Sequence, residues 1–147
     1  MRSQLDRKDL EIVEYLKDHG RDKISDISRV TGIPRATIFE RLVRLKEEGF
    51  IRKFTVDLDM EKMGFPVMAY IMITFSSSSG ENQRSLARKI SKLENVLSVS
   101  IISGQWDIMV LTANRSMKEL SSLVLDRLRN LEGVANTLSI PVFEWIS

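Results

Sequence analysis

The sequence predicts an α+β chain in two parts, a front of three helices and a back built as a four-stranded sheet with two helices. Three observations predict it. Apolar residues recur at helical spacing in three successive stretches up to Leu45, the period changes to alternation after Gly49, and from Pro66 the rhythm is strand, helix, strand, strand, helix, strand. A chain of 147 residues has room for one domain or two small ones, and buries roughly two-thirds of its unfolded surface.

The opening "LDRKDLEIVEYLKDHG" sets Ile12, Val13 and Leu16 at helical spacing, with Leu5 and Leu10 nearby and Gly20 as the stop. The chain's one histidine, His19, precedes that glycine, where a cation beside the helix's carbonyl end is the plain reading. "ISDISRVTGI" repeats the pattern with Ile24, Ile27 and Val30 inward and closes at Gly32. "PRATIFERLVRLKEEG" opens with Pro34 at the first helical position and ends at Gly49. The last two helices are joined by a short glycine-containing turn, the layout of a helix-turn-helix. "FIRKFTVDLD" then alternates, so a strand or two are expected, and "MEKMGFP" marks a boundary. The expected division is 1–52 for the helical domain, 53–65 for a linker strand or hinge, and 66–147 for the sheet domain.

In the back part "PVMAYIMITF" is apolar on both faces, which predicts a strand covered on both sides. "SSSSGENQ" is a loop leading into "RSLARKISKL", where Leu86, Ile90 and Leu93 share a face. "VLSVSIIS" and "DIMVLTA" read as strands on either side of "GQW", with Gly104 and Gln105 forming the tight link of a hairpin and Gly104 taking positive φ. "SMKELSSLVLDRLRNLEG" is a helix with Leu120, Leu123, Val124, Leu128 and Leu131 inward, and "VANTLSIPVFEWIS" is a last strand whose Pro141 suits a sheet edge. The order βαββαβ is the ferredoxin-like plan.

Composition excludes several chemistries. With no cysteine there are no disulfides, thiolate metal sites or cysteine nucleophiles, and one histidine cannot build a Cys/His zinc site. No glycine-rich phosphate loop is followed by Lys, and Ser76 to Ser79 have no base nearby in sequence. The longest apolar run is about half of the roughly 20 residues a spanning helix needs. The expectation is a soluble cytoplasmic protein that is not an enzyme, without cofactor or metal and without a place in the membrane.

Charge is distributed unevenly. The overall +2 hides 13 basic against 10 acidic residues in 1–54, and between Arg21 and Phe54 there are 9 basic against 5 acidic. That front excess points to a polyanion. On a wheel through the third helix, Ile38, Leu42 and Leu45 form the inward stripe, and Ala36, Thr37, Glu40, Val43 and Arg44 lie opposite. Arg35 stands at the helix start and Arg41 flanks the stripe, where it either reaches phosphates or ties the helices together. Small residues such as Ala36 and Thr37 permit close approach in a major groove. Arg52 and Lys53 would touch phosphates and set affinity rather than sequence. The candidate DNA-binding set is therefore Arg35, Ala36, Thr37, Glu40, Arg41, Arg44, Arg52 and Lys53. The competing reading is a solvated helix face with Arg44 paired to Glu47 or Glu48.

Taken in order, "LDRKDLEIVEYLKDHGR", "ISRVTGIPRATIFERLVRLKEEGFI", "SGQWDIMV" and "LEGVANTLS" resemble the Lrp/AsnC family of transcriptional regulators, the leucine-responsive or feast/famine type, over nearly the whole chain. The resemblance includes Arg41, Leu45, and Gly49 with Ile51. It departs at Pro34, where the family often has a capping Ser, and "SSSSGENQ" and "PVFEWIS" match nothing distinctive. It implies a winged-helix-like DNA-binding domain and a βαββαβ effector domain that dimerises through its sheets, often into larger homo-oligomers. Implied partners are double-stranded DNA at pseudo-palindromic sites and a small molecule, an amino acid or a relative of one, bound between effector domains. By the same resemblance Asp107 would hold an ammonium group, amides near Gly104 and Gln105 a carboxylate, and Thr137 and Ser139 would complete the pocket, with Trp106 lining it or packing between subunits; the plain alternative is a turn in which Asp107 accepts hydrogen bonds from loop amides. Two alternatives accompany this reading. One is an amino-acid-sensing or assembly subunit acting through protein partners. The other is an enzyme like the siroheme decarboxylases, which share the two-part layout but use histidine in the effector-like part, where residues 55–147 have none.

Overall fold

Helix α1 (Arg7–Asp18) starts where Asp6 can cap it: the Asp6 carboxylate accepts from the Asp9 amide at 2.9 Å, and the Asp9 carboxylate accepts from the Asp6 amide at 3.0 Å. This reciprocal box satisfies two amide donors that a helix start otherwise leaves unpaired. Helix α2 (Ile24–Thr31) ends on Gly32 at φ 72°, and α3 (Arg35–Glu47) follows shortly after. Pro34 is the N-cap of α3 rather than its first helical residue, and it caps through no side chain. Ile12, Ile27, Ile33 and Ile38 form the core of this three-helix unit, with Tyr15, Leu16, Ile24 and Leu42 packed around them. Val30, expected inward, is exposed. Three-residue steps fall short of the 3.6-residue turn, so Val30 lies about 120° around the helix from Ile24.

The computed structural model describes residues 4–146 and divides into two compact units between Asp57 and Leu58. The strand expected in "FIRKFTVDLD" does not form: residues 52–59 have no regular secondary structure and are all exposed. A strand exists only by exchanging hydrogen bonds with a neighbour. Among the described residues of the first unit there is no other strand to exchange them with.

The second unit follows the expected βαββαβ order. Strand β1 (Val67–Phe75) leads through a short 3-10 turn to α4 (Gln83–Ile90), then β2 (Val96–Ile101), β3 (Ile108–Asn114), α5 (Met117–Ser122) and β4 (Val134–Pro141). Asn82 and Ser116 cap α4 and α5 through their side chains. The single helix expected after Ser116 loosens past Ser122 into a π turn (Leu123–Arg127) and a 3-10 turn (Leu128–Asn130). It still buries Leu120, Leu123, Val124 and Leu128.

The antiparallel sheet runs β2-β3-β1-β4, so β1 is interior and β4, with its Pro141, is an edge. Ala69, Ile71 and Ile73 of β1, with Ile108 and Val110 of β3, are fully buried against the helices. The opposite face is different. Tyr70 sits beside Leu111 and Ile140, and Met72 beside Met109 and Leu138. These side chains are only partly covered, and Leu138 and Ile140 are each 45% exposed. The expectation that both faces of β1 are covered thus holds for one face within a single chain.

Candidate nucleic-acid interface and effector pocket

Helix α3 is held by its inner side. Ile38 and Leu45 are fully buried, and Leu42 packs on the core beside them. Next to this apolar seam the Arg41 guanidinium donates to Asp6 at 2.6 Å and to Asp9 at 2.8 Å, and Arg44 donates to Asp9 at 2.5 Å. The Asp9 side chain has no solvent exposure. Burial pushes its carboxyl up, but the hydrogen bonds from Arg44, the Asp6 amide and Arg41 outweigh burial and hold it at about 2. One buried carboxylate thereby fastens α1 to α3 through two cations.

The candidate groove residues separate accordingly. Arg35, Ala36 and Glu40 are exposed, and Thr37 is half-buried. Of the two readings open for Arg41, tying the helices together is the one its bonds to Asp6 and Asp9 match, and Arg44, read as lying opposite the stripe, joins it on Asp9, so both arginines take part in the α1–α3 clamp. An arginine side chain is long enough to leave the face its Cα suggests, and a buried carboxylate is the strongest partner in reach. Arg52 and Lys53 are exposed just beyond the α3 end, where the Ile51 amide donates to the Leu45 carbonyl at 2.9 Å. The Lys46 ammonium lies 5.8 Å from the centre of the Phe54 ring, a cation–π contact that folds this segment back on the helix.

Three residues of this unit are absent from the sequence-derived set. Asp6 and Asp9 carry a visible signal, a capping pair three residues apart ahead of an apolar run, but their pairing with arginines 32 and 35 residues away has none. Phe39 reads as one more apolar residue of a helix, yet it is 58% exposed. The wheel already places it about 100° from Ile38.

In the second unit, β2 and β3 pair as the expected hairpin, but its link is longer than the expected two residues. Ile101 faces Ile108, and the Ile102 amide donates to the Asp107 carbonyl at 2.8 Å, closing a loop over 103–106 with Gly104 at φ 122°. The Asp107 carboxylate accepts from the Phe75 amide at 2.7 Å, and the Asp107 amide donates to the Ile73 carbonyl at 3.0 Å. Asp107 therefore pins the loop to the end of β1 while remaining half-buried, and Gly104 and Gln105 are exposed. Thr137 and Ser139 lie on the other flank of β1, opposite Ile73 and Ile71.

Two strand spacings, about 10 Å, separate the two groups. The sheet thus sets Gly104, Gln105 and Asp107 on one flank of β1 and Thr137 with Ser139 on the other. A recess of about 450 Å³ lies at β4, lined by Arg129, Val134, Ala135, Asn136 and Thr137, and takes in only Thr137 of the five. There Arg129 Nε donates to the Thr137 hydroxyl at 3.0 Å. Trp106 is half-buried in the loop.

Comparison with known proteins places both units. Residues 5–52 match a model described as winged helix-turn-helix DNA-binding, and residues 68–146 match one described as the Lrp/AsnC ligand binding domain. A protein of Pyrococcus abyssi, named as an uncharacterized HTH-type transcriptional regulator, is 35% identical over 97% of this chain and 95% of its own length. The HTH-type transcriptional regulator FL11 of Pyrococcus furiosus is 32% identical over 98% of this chain and 93% of its own. Among solved structures, a transcriptional regulator of Neisseria meningitidis in complex with L-Met superposes with a TM-score of 0.89 at 25% identity, covering 98% of this chain and 93% of that one. AsnC of E. coli superposes at 0.84 with 21% identity over 97% and 94%, a likeness of fold.

Proposed function

The chain belongs to the Lrp/AsnC family of transcriptional regulators, and from that premise we propose how its two units divide the work. Helix α3 enters the major groove of double-stranded DNA, and Arg35, Arg52 and Lys53 neutralise phosphates along its flanks. A homodimer sets two such helices on a pseudo-palindromic site, with half-sites about one helical turn or a multiple apart. The observation that carries this reading is the one-sided anchoring of α3. Its core stripe and the Asp9 clamp hold it from behind, and Arg35, Ala36, Phe39, Glu40 and Val43 face outward.

The partly uncovered sheet face bearing Tyr70, Met72, Leu111, Leu138 and Ile140 supports dimerisation by sheet packing, since apolar surface of this kind gains by leaving water. A small molecule, an amino acid or a relative, binds between effector domains. Gly104, Gln105 and Asp107 of one copy meet Thr137 and Ser139 of another, an arrangement supported by the separation of these groups within one chain. The L-Met of the Neisseria relative supports an amino-acid ligand. Such a ligand regulates only by preferring one assembly or one DNA affinity over another. The place of work in this reading is the cytoplasm, which a role on DNA in a cell without a nucleus supports. Among the described residues no helix is long and apolar enough to cross a membrane.

The test is binding to a selected duplex at several salt concentrations. Affinity should fall steeply with salt, and Arg52→Ala with Lys53→Ala should shrink the log–log slope for the bound dimer by about 4, since two cations are lost from each of two copies and each phosphate no longer neutralised lowers it by roughly 0.9. Binding that is undetectable or independent of salt overturns the proposal.

A further inference from the structure

The outward face of α3 is not the charged surface that most DNA-reading helices present. Ala36, Phe39 and Val43 recur at steps of three and four residues, so they form one continuous stripe along the helix. All three are exposed: Phe39 by 58% and Val43 by 40%. Arg35 and Lys46 border the stripe on one side, Glu40 and Glu47 on the other. The arginines in the body of this helix that could read guanine, Arg41 and Arg44, are drawn to Asp9 and Asp6 on α1.

In the major groove the one apolar feature of a base edge is the thymine 5-methyl group, and apolar side chains such as Ala and Phe are its partners. We infer that Phe39 and Val43 select thymines, by packing against their 5-methyl groups, and that this apolar stripe rather than a bidentate arginine–guanine contact supplies most of the sequence preference. The two side chains are about 6 Å apart along the helix axis, near two base steps, so they meet methyl groups on neighbouring or next-neighbouring base pairs. Glu40, beside them, is placed to accept from a cytosine amino group, the one base-edge donor a carboxylate favours. Arg35 and Lys46, both on one border of the stripe, match the phosphates of the strand along that side of the groove, which commits the stripe to DNA rather than to another apolar surface. This inference rests on the reading of α3 as the recognition helix.

The experiment uses the full chain and a duplex selected from a randomised pool. Each thymine of the half-site is replaced singly by deoxyuridine, which removes only the methyl group, and binding is followed by fluorescence anisotropy. For the wild-type chain at least one replacement should weaken binding by about 3- to 5-fold, the size expected for one methyl group leaving an apolar contact. Phe39→Ala should bind the parent duplex more weakly and no longer distinguish thymine from deoxyuridine at that position. Phe39 is exposed, so an unchanged melting temperature verifies that the variant folds, and Val43→Ala supplies an independent measurement at the second position.

Three outcomes overturn the inference: wild-type binding indifferent to every replacement, both variants keeping the full methyl penalty, or a Phe39→Ala chain whose oligomeric state changes while its DNA affinity does not. In these cases the chain still binds DNA and the regulator reading stands. If the selection returns no bound duplex at all, that reading fails along with the inference.

Discussion

Replacing Asp9 by Asn removes one charge and little volume from the clamp behind α3. Asp9 is buried, its carboxyl is held at about 2 against an ordinary 3.8, and the cause is the convergence of Arg44, the Asp6 amide and Arg41 on two oxygens. That depression corresponds to about 2 kcal/mol of folding stability at neutral pH. Removing one member of a fully buried pair costs about 3–5 kcal/mol, but Arg41 and Arg44 reach solvent and Arg41 keeps Asp6, so the lower figure applies. For a unit of this size, Asp9→Asn should lower the melting temperature of the helical unit by about 10 °C at pH 7. The folded carboxyl is the stronger acid, so its contribution is complete above about pH 4 and disappears as pH falls through about 2. The gap between wild type and Asp9→Asn should therefore close over that window. Differential scanning calorimetry, with hydrogen exchange to assign the transition to α1 and α3, reads both effects. A variant that melts within about 2 °C of wild type at pH 7, or a gap that persists undiminished at pH 2, refutes the clamp.

Three further outcomes are expected. Gly133 takes φ 94° beneath the Phe75 ring, where an added Cβ would lie 3.1 Å from a ring carbon. Gly133→Ala should therefore cost about 1–2 kcal/mol from the backbone conformation alone, read as a lower melting temperature of the sheet unit. Leu138→Lys puts a charge on the open sheet face without touching the buried core, and sedimentation velocity should show a smaller assembly; an unchanged sedimentation coefficient places the subunit contact elsewhere. An amino acid that raises the melting temperature of the wild-type chain should bind Asp107→Ala more weakly by calorimetry, and equal affinity removes Asp107 from the pocket.

Much of this was legible in the sequence because periodicity states which side of each element turns inward. Ile12, Ile27, Ile38 and Leu45 in front, and Leu86, Ile90, Leu120 and Leu128 behind, are buried as their spacing requires. The βαββαβ order and Pro141 on an edge strand follow from the same local rules. Two departures share a physical origin. Alternation in "FIRKFTVDLD" records a tendency to pair, but pairing needs a second strand, which the described residues of the first unit do not provide. A helical wheel fixes where Arg44 leaves the backbone, whereas the destination of a long flexible side chain depends on what lies within reach.

What the sequence determined by itself is therefore the class of fold, the order of elements and the inward stripe of each, since these depend on neighbours three or four residues away. What only the tertiary structure decided is the partnership between residues far apart. It brought Asp9 between two arginines more than thirty residues on, set Asp107 and Thr137 on opposite flanks of β1, and left Leu138 and Ile140 without cover in the single chain. The reason is that chain closure, not local propensity, determines which buried charge meets which cation and which apolar surface is left without cover.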